Sequence, residues 1–546
     1  MIKLRENGQR SVLLQCFSER QIMAKYLLKR LAFGIFSCIA VVAIVMVMVY
    51  SLMDRNLIFA NDSIYSHMSN NNKVTYKYQK WEEYGYIDYV TYADYINELL
   101  ANGEIDETTK SAVIGLGKTA ADESATVKEY TDKFIEYYES QGYDTQRLEA
   151  VMIGPKKYAD GGQPQLFAYK DVPLSSRMLG YFTNLISIEN INTVQGDVGE
   201  RGITFTLYDP VDGGEKLSPA IIGNGTQHKY LLYMNSKFPY IHQNIVTINL
   251  GTSYSVNKGI DVFTTMTQTQ GAYVKSTIIY PTGLEEESAD DLHTAVYAAN
   301  SLASNPANVA RFTDDYTNVA TVKNGLSKMG YSFVIGIIAT VISYVLGLPI
   351  GILMARKKDK IADQIGTIYI IFISAVPSLA YIFLFKAIGG SVFGLPTTFD
   401  LQSNNKLMYV LPIISLALPS VASLMKWMRR YMIDQMNSDY VKFARSGGLT
   451  ENEIFTKHIM KNAAIPIIHG IPGSVLFAMT GAIITERVYV VPGAGNLLTT
   501  AINKYDNGVI VGVALFYAVL SVIALILGDV LMSMVDPRIS FSTKDR

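Results

Sequence analysis

Six long stretches of this chain carry no charge, and they restrict its fold more than any other feature. They are Leu31–Met53, Met329–Ala355, Ile365–Phe385, Leu407–Met425, Ala463–Thr485 and Gly508–Gly528. A helix needs about 20 apolar residues to cross roughly 30 Å of hydrocarbon. Each stretch meets or approaches that length, and each is bracketed by charge, as Lys328 and Arg356 bracket the second. The fourth is the shortest, and its helix is expected to run on through Trp427. The expectation is a mainly α membrane protein with six spans. Only 17% of the residues are charged, 49% are hydrophobic, and mean hydropathy is +0.17, which agrees with membrane residence. A net charge of −1 says nothing about nucleic acid, and no basic face or run calls for it.

Short loops rich in Lys and Arg lie on the cytoplasmic side of a membrane. Before the first stretch come Lys3, Arg5, Arg10, Arg20, Lys25, Lys29 and Arg30. Between the second and third lie Arg356, Lys357, Lys358 and Lys360, and between the fourth and fifth lie Lys426, Arg429, Arg430, Lys442, Arg445, Lys457 and Lys461. The opposite loops hold only Lys386 with Lys406 and Arg487 with Lys504. Both termini are therefore expected inside, with residues 54–328 outside. The first stretch is longer than a signal-peptide core of roughly 7–15 residues, and Asp54, Arg55 and Asn56 follow it in place of a small-residue cleavage site, so it reads as a retained helix.

The segment 54–328 is too long for a loop and reads as one α+β domain. Asp122–Gln141 and Asp290–Ala303 have helical amphipathicity, whereas Ile203–Tyr208 and Ile245–Leu250 read as strands. The two cysteines, Cys16 and Cys38, lie before this segment, so it has no disulfide, which suits a bacterial cell surface. Its tyrosines, such as Tyr84, Tyr86, Tyr89, Tyr92 and Tyr95, suit either recognition or the domain's own core.

The loop between the fourth and fifth stretches is the most informative segment. It runs DYVKFARSGGLTENEIFTKHIMKNAAIP from Asp439 to Pro466. A helix is expected over Tyr440–Ser446, a break at Gly447-Gly448, and a second helix from Thr450, which has Glu453 at capping-box spacing. Glycine permits the sharp turn between them, and a short helix with one apolar face suits a groove on a partner protein.

These residues resemble the EAA-type coupling motif of ABC importer permeases in the peptide-transporter branch. Asp439, Tyr440, Ala444, Arg445, Gly448, Leu449, His458, Asn462 and Pro466 match its pattern, with Lys457 as the basic residue before the histidine. Gly447 departs from it, since the branch usually has Lys or another longer residue there. Three more segments are similar to the family: Val490–Leu498 (VVPGAGNLL), the tail from Gly528 to Ile539 with its Asp-Pro-Arg, and Leu250-Gly-Thr-Ser-Tyr254. Gly223–Tyr254 resembles the long outer domain of Gram-positive oligopeptide permeases of the OppB/AmiC type.

The resemblance implies a type I ABC importer permease, a six-helix bundle with a large α+β extracellular domain inserted between its first and second helices. Residues 1–30 would be a cytoplasmic segment, 31–53 the first helix, 54–328 the outer domain, 329–535 the permease core with a coupling loop at 426–462, and 536–546 a cytoplasmic tail. It also implies partners: a second homologous permease, two cytosolic ATPases, a lipid-anchored extracellular peptide-binding protein, a peptide cargo and membrane lipid. The chain itself would hold no cofactor, with ATP and Mg²⁺ used by the ATPases. Asp439, Tyr440, Ala444, Arg445, Gly448, Leu449, Lys457, His458 and Asn462 would contact the ATPase. Pro492, Gly493 and Gly495 would form a turn at the outer mouth, as gate or simple tight turn. The sequence points to no substrate-binding residues.

Other features have plainer readings. Gly115-Leu-Gly-Lys-Thr119 is like the end of a phosphate loop, but the first required glycine falls on Ala112, so a polar turn is the better account. Asp529, at the end of the last stretch, suits a helix-end or inter-subunit ion pair more than cargo contact. His469 reads as a packing residue, and six histidines without ligand spacing argue against a metal site. Pro349, Pro377, Pro412, Pro419 and Pro472 are tolerable in spans as kinks. Three alternatives stay open: a surface enzyme tethered by the bundle, a secondary transporter, and an ABC permease for dipeptide, nickel or glycan.

Overall fold

The computed structural model describes residues 2–188 (up to residue 24 by backbone alone), 201–208, 217–224, 230–234, 239–241, 246–268, 270–271, 273–274, 276–279, 285–288, 322–323, 325–403 and 405–535. The helix expected over Asp290–Ala303 and the tail 536–546 lie outside these residues. Among them, four helices are long and apolar enough to cross a membrane: Lys25–Leu52, Lys328–Arg356, Lys406–Met436 and Asn507–Val535. A bent pair, Ile361–Ala375 with Ser378–Ser391, makes a fifth if counted as one span.

Helix α1 (Ile2–Leu52) differs from expectation in beginning well before Leu31. No proline interrupts it, so the basic segment continues the helix that the apolar run completes. The fourth stretch runs on as expected, since α8 (Val410–Met436) passes through Trp427. The third and fifth stretches are not single helices. The third splits into α6 (Ile361–Ala375) and α7 (Ser378–Ser391), with a bend of 111°. Pro377 causes this break. It has no N–H to give and pushes the residue before it out of the helical region, and Val376 is extended at φ −85°, ψ 130°. The fifth splits into α10 (Met460–His469), α11 (Ile471–Gly481) and α12 (Ile483–Tyr489). Its first break falls at Gly470, just before Pro472 in the first turn of α11.

Helix α5 (Lys328–Arg356) packs along α8 through small residues. A Cβ on Gly347 would lie 2.9 Å from the Leu424 Cβ, and one on Gly351 would lie 2.9 Å from the Met428 Cβ and 3.0 Å from the Met425 carbonyl. The Ser343 hydroxyl reaches the Ala417 carbonyl of α8 at 3.1 Å. Small residues let two backbones approach in a medium where packing, not water exclusion, drives helix association. Arg429 of α8 holds Asp363 of α6 by two bonds of 2.5 and 2.7 Å. On the other side, α14 (Asn507–Val535) lies against α1, with Val42, Met46 and Val49 packed among Val509 and Val513.

Residues 54–188 form a compact α/β unit beyond one end of the bundle. Strands β1 (Ile87–Thr91), β2 (Asp144–Leu148) and β3 (Gln165–Asp171) form an antiparallel sheet in the order β1-β3-β2. Helices α2 (Asn70–Glu83), α3 (Tyr92–Ala101) and α4 (Ala125–Ser140) cover it. The amphipathic segment expected over Asp122–Gln141 is α4, whose Phe134 is fully buried. Tyrosines fill this core: Tyr86, Tyr89, Tyr92 and Tyr95 are buried, and Tyr84 stacks on Tyr254 at 3.9 Å. Burial pushes the Tyr138 hydroxyl up to about 12, so it stays neutral. The strand expected over Ile203–Tyr208 is β5 (Gly202–Tyr208), the edge of a four-stranded antiparallel sheet. The strand expected near Ile245 is Val246–Ile248, which pairs with β4 (Ile186–Ile188).

Replacing Gly351 by Val should destabilise the bundle by about 1–3 kcal/mol, the usual cost of overpacking. Thermal denaturation of the detergent-solubilised protein checks this, with Gly351→Ala milder.

Candidate functional site

The connection from α8 to α10 folds as a helical hairpin at the bundle end opposite the α/β unit. Its first arm, α9 (Asp439–Ser446), places Asp439 in the first turn and Arg445 in the last, as the helix dipole favours. The arm ends where the Gly447 N–H reaches the Phe443 carbonyl at 2.9 Å and the Gly448 N–H reaches the Arg445 carbonyl at 3.1 Å. Gly448 sits at φ +81°, a conformation that L side chains resist, whereas Gly447 is ordinary at φ −77°. The pair is therefore not interchangeable: Gly448 makes the turn, and Gly447 could carry a side chain.

The second arm starts at Thr450 with both halves of a capping box. The Glu453 N–H donates to the Thr450 hydroxyl at 3.3 Å, and the Thr450 N–H donates to the Glu453 carboxylate at 3.3 Å. Arg445 forks onto Glu451, with Nη2 to Oε2 at 3.0 Å, and ties the arms together. That bond holds the Glu451 carboxyl below its ordinary value. Its support for the turn is thus present above the ordinary glutamate range and is lost as the pH falls through the lowered value. Ile454–Ile459 then winds as one π turn carrying Lys457 and His458 before α10 resumes.

One face of the hairpin is buried and the other is open. Val441, Ile454 and Ile459 pack on Ala355, Met428 and Met432, at the ends of α5 and α8. Tyr440 donates to the Gln435 side chain at 2.9 Å, and Arg356 reaches Asn452 at 3.3 Å. Tyr440, Ala444, His458 and Asn462 are half-buried, while Asp439, Arg445, Gly448, Leu449 and Lys457 are exposed. Phe443, which motif reasoning does not single out, is 82% exposed at the middle of the first arm. Its signal in the sequence is an aromatic on the polar side of an amphipathic helix.

At the other end of the bundle, Pro492, Gly493 and Gly495 form a packed turn leading into α13 (Ala494–Asn503). Glu486 of α12, 1% exposed, lies against it. Its carboxylate accepts from the Ser332 hydroxyl at 2.5 Å and the Asn496 N–H at 2.9 Å, and the Ser332 oxygen accepts from the Ala494 N–H at 2.8 Å. A Cβ on Gly493 would collide with this carboxylate, and one on Gly495 would lie 2.8 Å from the Ile483 Cα. Gly493 is thus required by the buried acid and Gly495 by the close approach of Ile483. Val490, just before them, is left-handed at φ +59°, which is costly for a β-branched residue.

A further buried acid near this turn is Asp506, fully enclosed at the start of α14. It accepts from the Ser253 hydroxyl at 2.6 Å and from the N–H groups of Tyr254, Ser255 and Val256 at 2.9–3.0 Å. It thereby holds the Leu250–Tyr254 segment on the bundle. Sequence reasoning misses Glu486, Ser332, Asp506 and the Asp363–Arg429 pair, because each acid reads as an ordinary charge flanking an apolar stretch.

The plainer readings can also be placed. In the Gly115–Thr119 turn, Arg147 donates to the Gly117 carbonyl at 3.1 Å, and just past it Glu149 accepts the Ala120 N–H at 3.2 Å, so the segment is a polar turn held by its own domain's side chains. Asp529 pairs with Arg30 at 3.1 Å and accepts from Tyr26 at 2.9 Å, an ion pair between α14 and α1 of the same chain. His469 packs on Gly528. Among the described residues no group of three or more His, Cys, Asp or Glu is arranged to hold a metal.

Several apolar helices, a polar hairpin at one end and a packed α/β unit at the other define a multi-pass membrane protein of the permease class. The family model for the inner membrane component of binding-protein-dependent transport systems matches residues 347–541. The oligopeptide transport system permease protein AmiC of Streptococcus pneumoniae is 32% identical over 531 residues, 96% of this chain and 99% of that protein. The dipeptide transport system permease protein DppB of Bacillus subtilis is 28% identical over 226 residues, 40% of this chain and 72% of that protein. A solved amino acid ABC transporter matches 39% of this chain and 92% of its own at 19% identity and a TM-score of 0.30. The chain belongs to the ABC permease family of oligopeptide transport systems, whose members are transport subunits and not enzymes.

Thr450→Ala should cost about 1 kcal/mol of local stability, as loss of an N-cap does. Faster amide exchange over residues 451–459, with the rest of the bundle unchanged, is the expected readout.

Proposed function

We propose that this chain is one half of the translocation bundle of an ATP-driven oligopeptide importer. The observation that carries the reading is the match to the AmiC permease over 96% of the chain, which runs through the segment between the first and second spans, whereas the DppB match covers 40%. The cargo follows that relative's name, oligopeptide, ahead of dipeptide, nickel or glycan. The tethered-enzyme and secondary-transporter readings have no comparable support.

In this reading the bundle has six spans, with α6 and α7 as a bent third span and α10 to α12 as a broken fifth. Both termini and the hairpin face the cytoplasm, and residues 54–328 face outward as an inserted α+β domain. Residues 329–535 form the permease core. A second homologous permease completes the bundle, two cytosolic ATPases engage the hairpins, and a lipid-anchored binding protein delivers peptide to the outer side. ATP and Mg²⁺ belong to the ATPases, and this chain holds no cofactor. ATP binding draws the ATPases together and shifts a two-state bundle toward its outward-open form, and hydrolysis returns it. Asp439, Tyr440, Ala444, Arg445, Gly448, Leu449, Lys457, His458 and Asn462 form the coupling hairpin. Its buried face transmits displacement to the ends of α5 and α8, and Phe443 is the anchor for the ATPase groove.

Phe443→Ala should weaken ATPase association by about 2 kcal/mol, the scale of an aromatic hot spot, measured by co-purification and titration. Gly448→Val places a β-branched residue in the left-handed region, at a cost of about 1–2 kcal/mol. It should impair ATP-driven uptake while peptide capture by the binding protein stays intact, and normal uptake would count against the coupling role. Sidedness is tested by labelling single cysteines at 443 and 137 in intact cells. Modification at 443 but not 137 by an impermeant reagent would overturn the orientation.

A further inference from the structure

The buried carboxylates of Glu486 and Asp506 sit at opposite ends of the same short helix. Glu486 and Ser332 hold the first N–H groups of α13, at Ala494 and Asn496. Past the other end, the Asp506 N–H bonds the Ala501 carbonyl at 2.8 Å, and the Asp506 carboxylate collects the N–H groups of residues 254–256. Neither acid is exposed enough to exchange these donors for water, so each bond lost would leave a buried polar group without a partner. Small residues tighten the same joint. A Cβ on Gly508 would strike the Thr252 carbonyl, and one on Gly512 would lie 2.6 Å from Val262 Cγ1.

The joint continues into the α/β unit. Asn507 donates to the buried Tyr86 hydroxyl at 2.7 Å, Tyr84 stacks on Tyr254, and Arg177 lies 4.0 Å and 4.1 Å over the rings of Tyr50 and Tyr86. One connected set of buried bonds therefore runs from α5 and α12, through α13, to the α/β unit. Val490, strained at φ +59° and 56% exposed, is the adjacent point at which this set meets open surface.

We propose that α13 is a rigid strut through which the outer unit and the α5–α12 part of the bundle move together, with Ser332 and Asp506 as its positioning residues. The strut makes engagement of the outer unit by a binding protein felt at the ATPase hairpin. This part rests on the importer reading above.

The test uses the whole complex in proteoliposomes, comparing wild type, Ser332→Ala, Ser332→Thr and Asp506→Asn. ATP hydrolysis is measured with and without saturating peptide-loaded binding protein, alongside the affinity for that protein. For Ser332→Ala and Asp506→Asn, basal hydrolysis and affinity should stay at wild-type values. The increment due to the binding protein should fall about tenfold, the scale of one lost bond to a charged group, and Ser332→Thr should restore it. An unchanged increment in both variants overturns the proposal, as does a parallel fall of basal and stimulated rates, which marks a merely structural role. Spin labels on Tyr137→Cys and Ile502→Cys, with Cys16 and Cys38 replaced by Ser, give an independent readout. Their separation should be the same with and without ATP in wild type and should broaden in Asp506→Asn, and a separation that changes with ATP in wild type overturns the strut. If wild-type hydrolysis does not respond to any binding protein while the labels keep a fixed separation, the importer reading fails and the strut stands.

Discussion

Hydrocarbon offers no hydrogen bonds, so every backbone group at membrane depth must find its partner within the protein. Where the helices of this bundle are continuous, the requirement is met by the helices themselves. Where they break, the repairs shape the molecule. After α12 the chain leaves the helical region at Val490, and the free N–H groups of the next helix are taken by Glu486 and Ser332. At the start of α14 the amides of residues 254–256, which no helix or strand satisfies, converge on Asp506. A buried carboxylate without such donors would be costly, and donors without the carboxylate would be equally so. Each pairing therefore holds its segments in one arrangement.

The two ends of the bundle use different physics. At the domain end, charge is buried and fully bonded, which favours a single geometry. At the hairpin end, the hairpin's own charges are exposed, and an apolar underside with two polar contacts, Tyr440–Gln435 and Arg356–Asn452, fixes it to α5 and α8. Exposed ion pairs such as Lys442–Asp439 add little stability in water, so the open face is available for a partner without losing the fold. The capping box at Thr450 and the left-handed Gly448 keep that face in shape through local bonds alone.

The hairpin was legible in the sequence because its determinants are local. Thr450 and Glu453 are three residues apart, the glycine turn is contiguous, and α9 begins within one residue of the expected start. The spans were legible as apolar runs, since length and absence of charge are one-dimensional properties. Two of the runs hid broken helices. Composition cannot separate Ile365–Phe385 from an unbroken span, although Pro377 lay in view, because prolines at 349 and 419 stay inside continuous helices. Whether a proline breaks or merely occupies a helix depends on how the surrounding packing accommodates it, and that is not written in a linear run.

The sequence by itself determined the membrane character, the approximate positions of the long apolar helices, the local form of the hairpin and the family. These follow from hydrophobicity, charge placement and short-range hydrogen bonds. Only the tertiary structure decided which charges are buried and what they hold. Asp506 meets Ser253 across 253 residues and Glu486 meets Ser332 across 154. A carboxylate beside an apolar run is identical in sequence whether it faces water or closes a joint. Its role is set by donors that arrive only when distant segments pack.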